Sequence, residues 1–168
     1  MPRSFDLSAD STASVEQIHS AFSDEDYWLA RLGGFGAGTA TLDSLIVDAD
    51  GTVAMATTLS LLRDRLSGLV TRLSLGDLEM VCTETWTPIR GGQVRGKASM
   101  AVPGAPLSVL GAALLAPAPT GSQLAYSTTV EVRIPLVGSK IESYVGGLLA
   151  EQIPAILRFT TEWVANNR

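Results

Sequence analysis

Apolar positions along the chain follow two repeat lengths, and the changes between them outline the elements. From Ser4 to Ser8 the side chains alternate, with Phe5 and Leu7 on one face and Ser4, Asp6 and Ser8 on the other, as in a half-buried strand. Helical spacing then takes over. Ser14-Val15-Glu16-Gln17 has the capping-box spacing, and Val15, Ile18 and Phe22 recur at helical intervals after it. Ser23 reads as the cap of a second short helix. Its acidic first turn, Asp24-Glu25-Asp26, suits the positive end of a helix dipole and leads into Tyr27, Trp28, Leu29 and Leu32. Gly33-Gly34 and Gly36 end it.

After Gly38 the pattern becomes strand-like, punctuated by Asp50-Gly51, Arg90-Gly91-Gly92 and Thr120-Gly121-Ser122, which read as hairpin turns. The strands expected between them run over Thr39 to Asp48, Thr52 to Arg63, Asp77 to Pro88, Gln93 to Val102, Leu107 to Ala116 and Gln123 to Ile134. Arg63 to Leu75 is a looser apolar and basic stretch, read as a helical turn or a loop.

From Pro135 the helical period returns. Ser139-Lys140-Ile141-Glu142 repeats the capping-box spacing, and Ile141, Tyr144, Val145, Leu148, Gln152 and Ile156 continue to Phe159 and Trp163 as one face. Glu142, Glu151, Arg158 and Glu162 are expected on the opposite face. Pro154 removes one helical hydrogen bond, so a kink is expected near Ala150 to Ile153. Gly146-Gly147 weakens the helix and points either to close packing on a strand or to room for a ligand.

Composition narrows the partners. The 168 residues suit one domain with its own core. A net charge of −5 with no Lys/Arg cluster argues against nucleic acid and against a polybasic grip on anionic lipid. No charged side chain occurs from Ala98 to Val130, yet Pro103, Pro106, Pro117 and Pro119 cut the stretch, leaving Leu107 to Ala116 far short of the roughly 20 residues a membrane span needs. The N-terminus lacks the apolar core of a secretory signal, and the lone Cys82 fits a reducing compartment, so a cytoplasmic location is expected.

The order strand, two short helices, six strands, long helix resembles the helix-grip fold of the START-like superfamily (SRPBCC, Bet v 1-like), an α+β architecture in which a curved antiparallel sheet of about seven strands wraps a long C-terminal helix. Phe22-Ser23-Asp24-Glu25-Asp26-Tyr27-Trp28, Glu84-Thr85-Trp86 and Pro135-Leu136-Val137-Gly138-Ser139-Lys140-Ile141-Glu142 are more narrowly similar to an actinobacterial family within it, the domain of unknown function 2505. The superfamily resemblance implies a cavity between sheet and helix that holds a small hydrophobic molecule such as a lipid or polyketide. The narrower one brings no assigned activity.

Strand alternation points Leu78, Met80, Cys82, Glu84 and Trp86 inward, together with Met55, Leu59, Met100, Tyr126 and Thr128 from the other strands. With Trp28, Tyr144, Leu148, Gln152 and Ile156 from the helices, and the polar members among them as anchors, these are the candidate ligand contacts. Glu84 among apolar neighbours requires a proton, water, an open strand end or a partner, and is read as pairing with an arginine or lying at the rim.

Catalytic signals are weak. His19, the one histidine, has no supporting motif, Cys82 has no basic neighbour in sequence, and Gly33-Gly34-Phe35-Gly36 lacks the context of a phosphate loop. No catalytic residue, cofactor or metal is expected. The leading reading is a non-enzymatic binder. The alternatives are a cyclase- or aromatase-like enzyme using Glu84, Tyr126 and Tyr144, and a homodimeric or larger interaction module pairing through an exposed Leu107 to Ala116 strand.

Overall fold

The N-terminal alternation is realised as strand β1 (Arg3–Ser11) in a computed structural model that describes residues 2–35, 38–61 and 78–167. Helices α1 (Val15–Phe22) and α2 (Glu25–Phe35) follow. Next come β2 (Gly38–Val47), β3 (Val53–Leu61), β4 (Leu78–Trp86), β5 (Val94–Ala101), β6 (Leu107–Ala118), β7 (Gly121–Val132) and the long helix α3 (Gly138–Asn166). The strands form one antiparallel sheet in the order β1-β7-β6-β5-β4-β3-β2, in which sequence neighbours pair except where β1 closes onto β7. This is the α+β helix-grip fold. The stretch expected to be loose, Arg63 to Leu75, lies outside the described residues.

Local chemistry explains the boundaries. Ser14 Oγ accepts from Gln17 N at 3.1 Å while Ser14 N donates to Gln17 Oε1 at 2.9 Å, so the capping box forms as its spacing predicts. Ser23 instead closes α1 as its C-cap. The cap of α2 is Asp24, whose Oδ1 accepts from Asp26 N at 2.9 Å, a carboxylate at a site that favours negative charge. The β4–β5 hairpin turns through Gly91 and Gly92 with φ of +60° and +77°, a pair of left-handed residues that glycine adopts without a side-chain clash.

The interior of the sheet holds β6, hydrogen-bonded to β5 on one side and β7 on the other. The expected exposed Leu107 to Ala116 edge therefore does not exist: its backbone groups are already used in two ladders. Among the described residues the outer strands are β1 and β2.

Two expectations for the long helix are corrected. Its N-cap is Val137, with no side-chain cap, so the Ser139 capping box does not form. Its buried stripe keeps Ile141 as expected but otherwise lies about one residue along, passing through Glu142, Gly146, Ile153, Leu157, Thr160 and Val164. Tyr144 and Leu148 face outward, each 42% exposed.

Glu142 and Gly146 account for this rotation. Glu142 turns inward and accepts the amide of Val132 at 2.9 Å, satisfying a backbone donor at the end of β7; its other oxygen has no hydrogen-bond partner among the described residues. Gly146 lies against the Phe5 ring of β1 so closely that a Cβ there would come within 2.2 Å of it. Reading Glu142 outward from its charge moves the whole stripe, because positions on a helix turn together. The helix runs through Pro154 without ending.

Candidate functional site

Pairing register brings chemistry and empty space together on the concave face. Met55, Glu84, Ala98, Gly111 and Thr128 form one row across β3 to β7, and Val53, Trp86, Gly96, Ala113 and Tyr126 form the next. The central strands β5 and β6 therefore contribute only glycine and alanine to these two rows. Aromatic rings lean over that small-residue floor. A Cβ on Gly96 would sit 2.5 Å from the Trp86 ring, and one on Gly111 would sit 2.2 Å from the Tyr126 hydroxyl. Glycine lets both rings lie close to the sheet.

On the same face lies a cavity of about 170 Å³, lined by Trp86, Tyr126 and, of these small residues, Ala98. Leu59 and Met55 of β3, Glu84 and Trp86 of β4, Met100 of β5 and Tyr126 of β7 reach it, as does Trp28 of α2. Helix α3 closes it with Gln152, Ile156 and Leu149. Four other candidates stay outside the lining. Met80 lies near the start of β4, opposite Leu59, and Thr128 is buried at the β7 end of its row with its hydroxyl donated to Leu110 O at 3.2 Å. Tyr144 and Leu148 are on the outer face of α3.

Glu84 does not stand alone. Its Oε2 accepts from Arg31 Nη2 at 2.7 Å, and its Oε1 accepts from Trp86 Nε1 at 3.2 Å. The Arg31 guanidinium lies 4.8 Å over the Trp28 ring, so one cation meets both a carboxylate and an aromatic face. The two side chains are 15% and 14% exposed. Burial pulls the Arg31 pKa down, but Glu84 and Tyr27 raise it by more, and the guanidinium stays charged.

Arg31 is a functional residue with no motif of its own in the sequence, where an arginine partner was one of two readings of Glu84. Its signal is spacing: it follows Tyr27 by four residues and Trp28 by three, so all three share one face of α2. Thr160 is another. It donates to Ile156 O at 2.8 Å and accepts the Tyr27 hydroxyl at 2.7 Å, tying α2 to α3 across the core.

The remaining titratable groups at the cavity hold their protons. Burial, assisted by Glu84, pushes the Tyr126 phenol up to about 12, and no described residue hydrogen-bonds its hydroxyl. Burial pushes the Cys82 thiol up to about 11, partly countered by its hydrogen bond with Thr57. His19 lies away from the lining, with Nε2 3.1 Å from Thr87 O. Among the described residues no cluster of three or more metal-ligating side chains occurs, and no helix is long and apolar enough to cross a membrane.

Residues 6–164 match a family described as a protein of unknown function, DUF2505. The chain belongs to the DUF2505 family. Relatives of this DUF2505 protein include the uncharacterized proteins Rv0481c of Mycobacterium tuberculosis and Mb0491c of Mycobacterium bovis, each 40% identical over 99% of both chains. Solved structures resemble the DUF2505 chain at the level of fold. TTHA0849 from Thermus thermophilus matches with a TM-score of 0.55 and 16% identity over 100% of both chains. Ara h 8.0201 matches with a TM-score of 0.54 and 13% identity over 99% of this chain and 100% of its own. A Thalictrum norcoclaurine synthase point mutant, solved with a transition state analogue, matches with a TM-score of 0.54 and 15% identity over 96% of both. These neighbours place the DUF2505 chain in the Bet v 1-like helix-grip fold.

Proposed function

We propose that this DUF2505 protein is a binder of a compact, mainly apolar small molecule, held between the sheet and α3. The observation that carries this is the cavity of about 170 Å³ lined by Met55, Leu59, Ala98, Met100, Leu149 and Ile156. A comparable engineered apolar cavity of about 150 Å³ takes up benzene, so the volume suits one or two rings, while drug-sized ligands occupy about 300 Å³ or more. That favours a small ring system over a whole lipid.

The polar groups support binding over proton transfer. A general acid or base works best with a pKa near the working pH, and Tyr126 and Cys82 are both pushed well above neutrality. Glu84 has its oxygens engaged by Arg31 and Trp86, and Tyr144, the third residue of the enzymatic alternative, lies outside the cavity.

The test is to purify the protein natively, extract it with organic solvent and compare the released small molecules by mass spectrometry with those from an unrelated control. A compound of one or two rings in near-stoichiometric amount is the expected result. A long-chain lipid in its place would contradict the size argument, and turnover of the released compound by the protein would contradict the non-enzymatic reading.

A further inference from the structure

The cavity's charges cancel one another, and this bears on what can enter it. Among the described residues that line it, Arg31 and Glu84 are the only acidic and basic side chains, and they are paired with each other at 2.7 Å. Across the floor, the Tyr126 hydroxyl lies over Gly111, two strands from Glu84 in the same row. At the strand spacing of about 4.8 Å, that puts roughly 10 Å between Glu84 and Gly111, with Ala98 between them. No described residue hydrogen-bonds the phenol, and it keeps its proton, so it stands ready to donate.

We propose that the cavity selects an uncharged ring compound carrying one hydrogen-bond acceptor, with the acceptor on the Tyr126 hydroxyl and the ring among Met55, Ala98, Met100 and Leu149, and that the Arg31–Glu84 pair rejects charged analogues. This rests on the binding reading above and adds the ligand's charge and anchor. A carboxylate could reach Arg31 only by competing with Glu84, which would leave two anions beside one cation in a largely apolar space. An ammonium faces the same difficulty with the sign reversed. Transfer of an uncompensated charge into such surroundings is the most costly kind of burial.

Four probes built on one benzene ring separate the terms: toluene, acetophenone, benzoate and benzylammonium, titrated at pH 7.5 and read by isothermal calorimetry and by methionine methyl shifts. Acetophenone should bind tightest, with benzoate and benzylammonium weaker by about tenfold or more. Tyr126→Phe should weaken acetophenone by about three- to tenfold and leave toluene unchanged. Glu84→Gln leaves Arg31 unmatched and should lift benzoate above benzylammonium; Arg31→Met should do the reverse.

Benzoate binding the native protein as well as acetophenone would overturn the proposal while leaving the binding reading intact. So would a charge ranking that neither variant alters. If none of the four probes binds, the proposal and the binding reading fall together. The native ranking and Tyr126→Phe decide the matter even if the charge variants do not fold.

Discussion

Arg31 of α2 and Glu84 of β4, 53 positions apart in the chain, meet at 2.7 Å, and the same carboxylate also takes the indole N–H of Trp86. This pairing makes a charged residue tolerable on the concave face of the sheet. It also sets the first expectation. Arg31→Met or Glu84→Leu alone strands a partly desolvated charge and should cost about 2–4 kcal/mol, whereas the double variant, apolar on both sides, should cost less than their sum. Urea unfolding of the four proteins gives the coupling directly. Additive losses would mean that the pair is solvated enough to contribute little.

The neighbouring glycines of α3 should respond in opposite directions. A Cβ added at Gly147 would have nothing within 4 Å, so Gly147→Ala should stabilise by about 0.5–1 kcal/mol through helix propensity. Gly146→Ala gains the same propensity but drives a methyl into the Phe5 ring, and overpacking of that kind costs about 1–3 kcal/mol. Thermal unfolding should show a higher midpoint for the first variant and a lower one for the second. Equal midpoints would show that Phe5 moves aside freely.

Which of these features the sequence disclosed follows from how directly periodicity reports on each. Two-residue alternation depends on the backbone alone, so it assigned the inward faces of β3, β4, β5 and β7 and, with them, Met55, Leu59, Glu84, Trp86, Met100 and Tyr126. The stripe of α3 depends on which neighbour each turn meets, and that is tertiary information. Glu142 reads as a solvent residue until the unpaired Val132 amide is known, and Gly146 reads as a weakness until Phe5 is found against it. Tyr144 and Leu148 were misplaced inward for that reason. The close seating of Trp86 and Tyr126 on the sheet depends on residues with no side chain, Gly96 and Gly111, which a search for chemical groups passes over. The central position of β6 was illegible because pairing order is not written in the apolar pattern of one strand.

Glu142 anchors the start of α3. Glu142→Ala leaves the Val132 amide without its acceptor, and a buried donor left in that state costs about 1–3 kcal/mol. Hydrogen exchange should speed up at Val132 and in the first turns of α3 before it does so in the sheet. Unchanged exchange at Val132 would show that another group accepts that amide.

Alkaline titration tests the setting of Tyr126. Its folded pKa, about 12, lies above the ordinary phenol value of 10.0, so in that interval the folded protein holds a proton that the unfolded chain has released. The stability contribution is fully present below pH 10 and is lost as pH rises toward 12. Tyr126→Phe should flatten that fall, measured by urea midpoints across the range. An identical fall in the variant would assign it to other groups, Tyr27 among them, whose pKa burial also raises.

Methionine provides the most direct test of the cavity as a binding site, because the chain places methyl groups both inside and outside it. Met55 and Met100 line the space, whereas Met80 lies beyond its lining. With methyl-labelled methionine, titration with toluene should move the Met55 and Met100 signals along saturable curves and leave Met80 in place. Signals that stay fixed up to the solubility limit of toluene, or that all drift together, would contradict a ligand-accepting cavity between the sheet and α3.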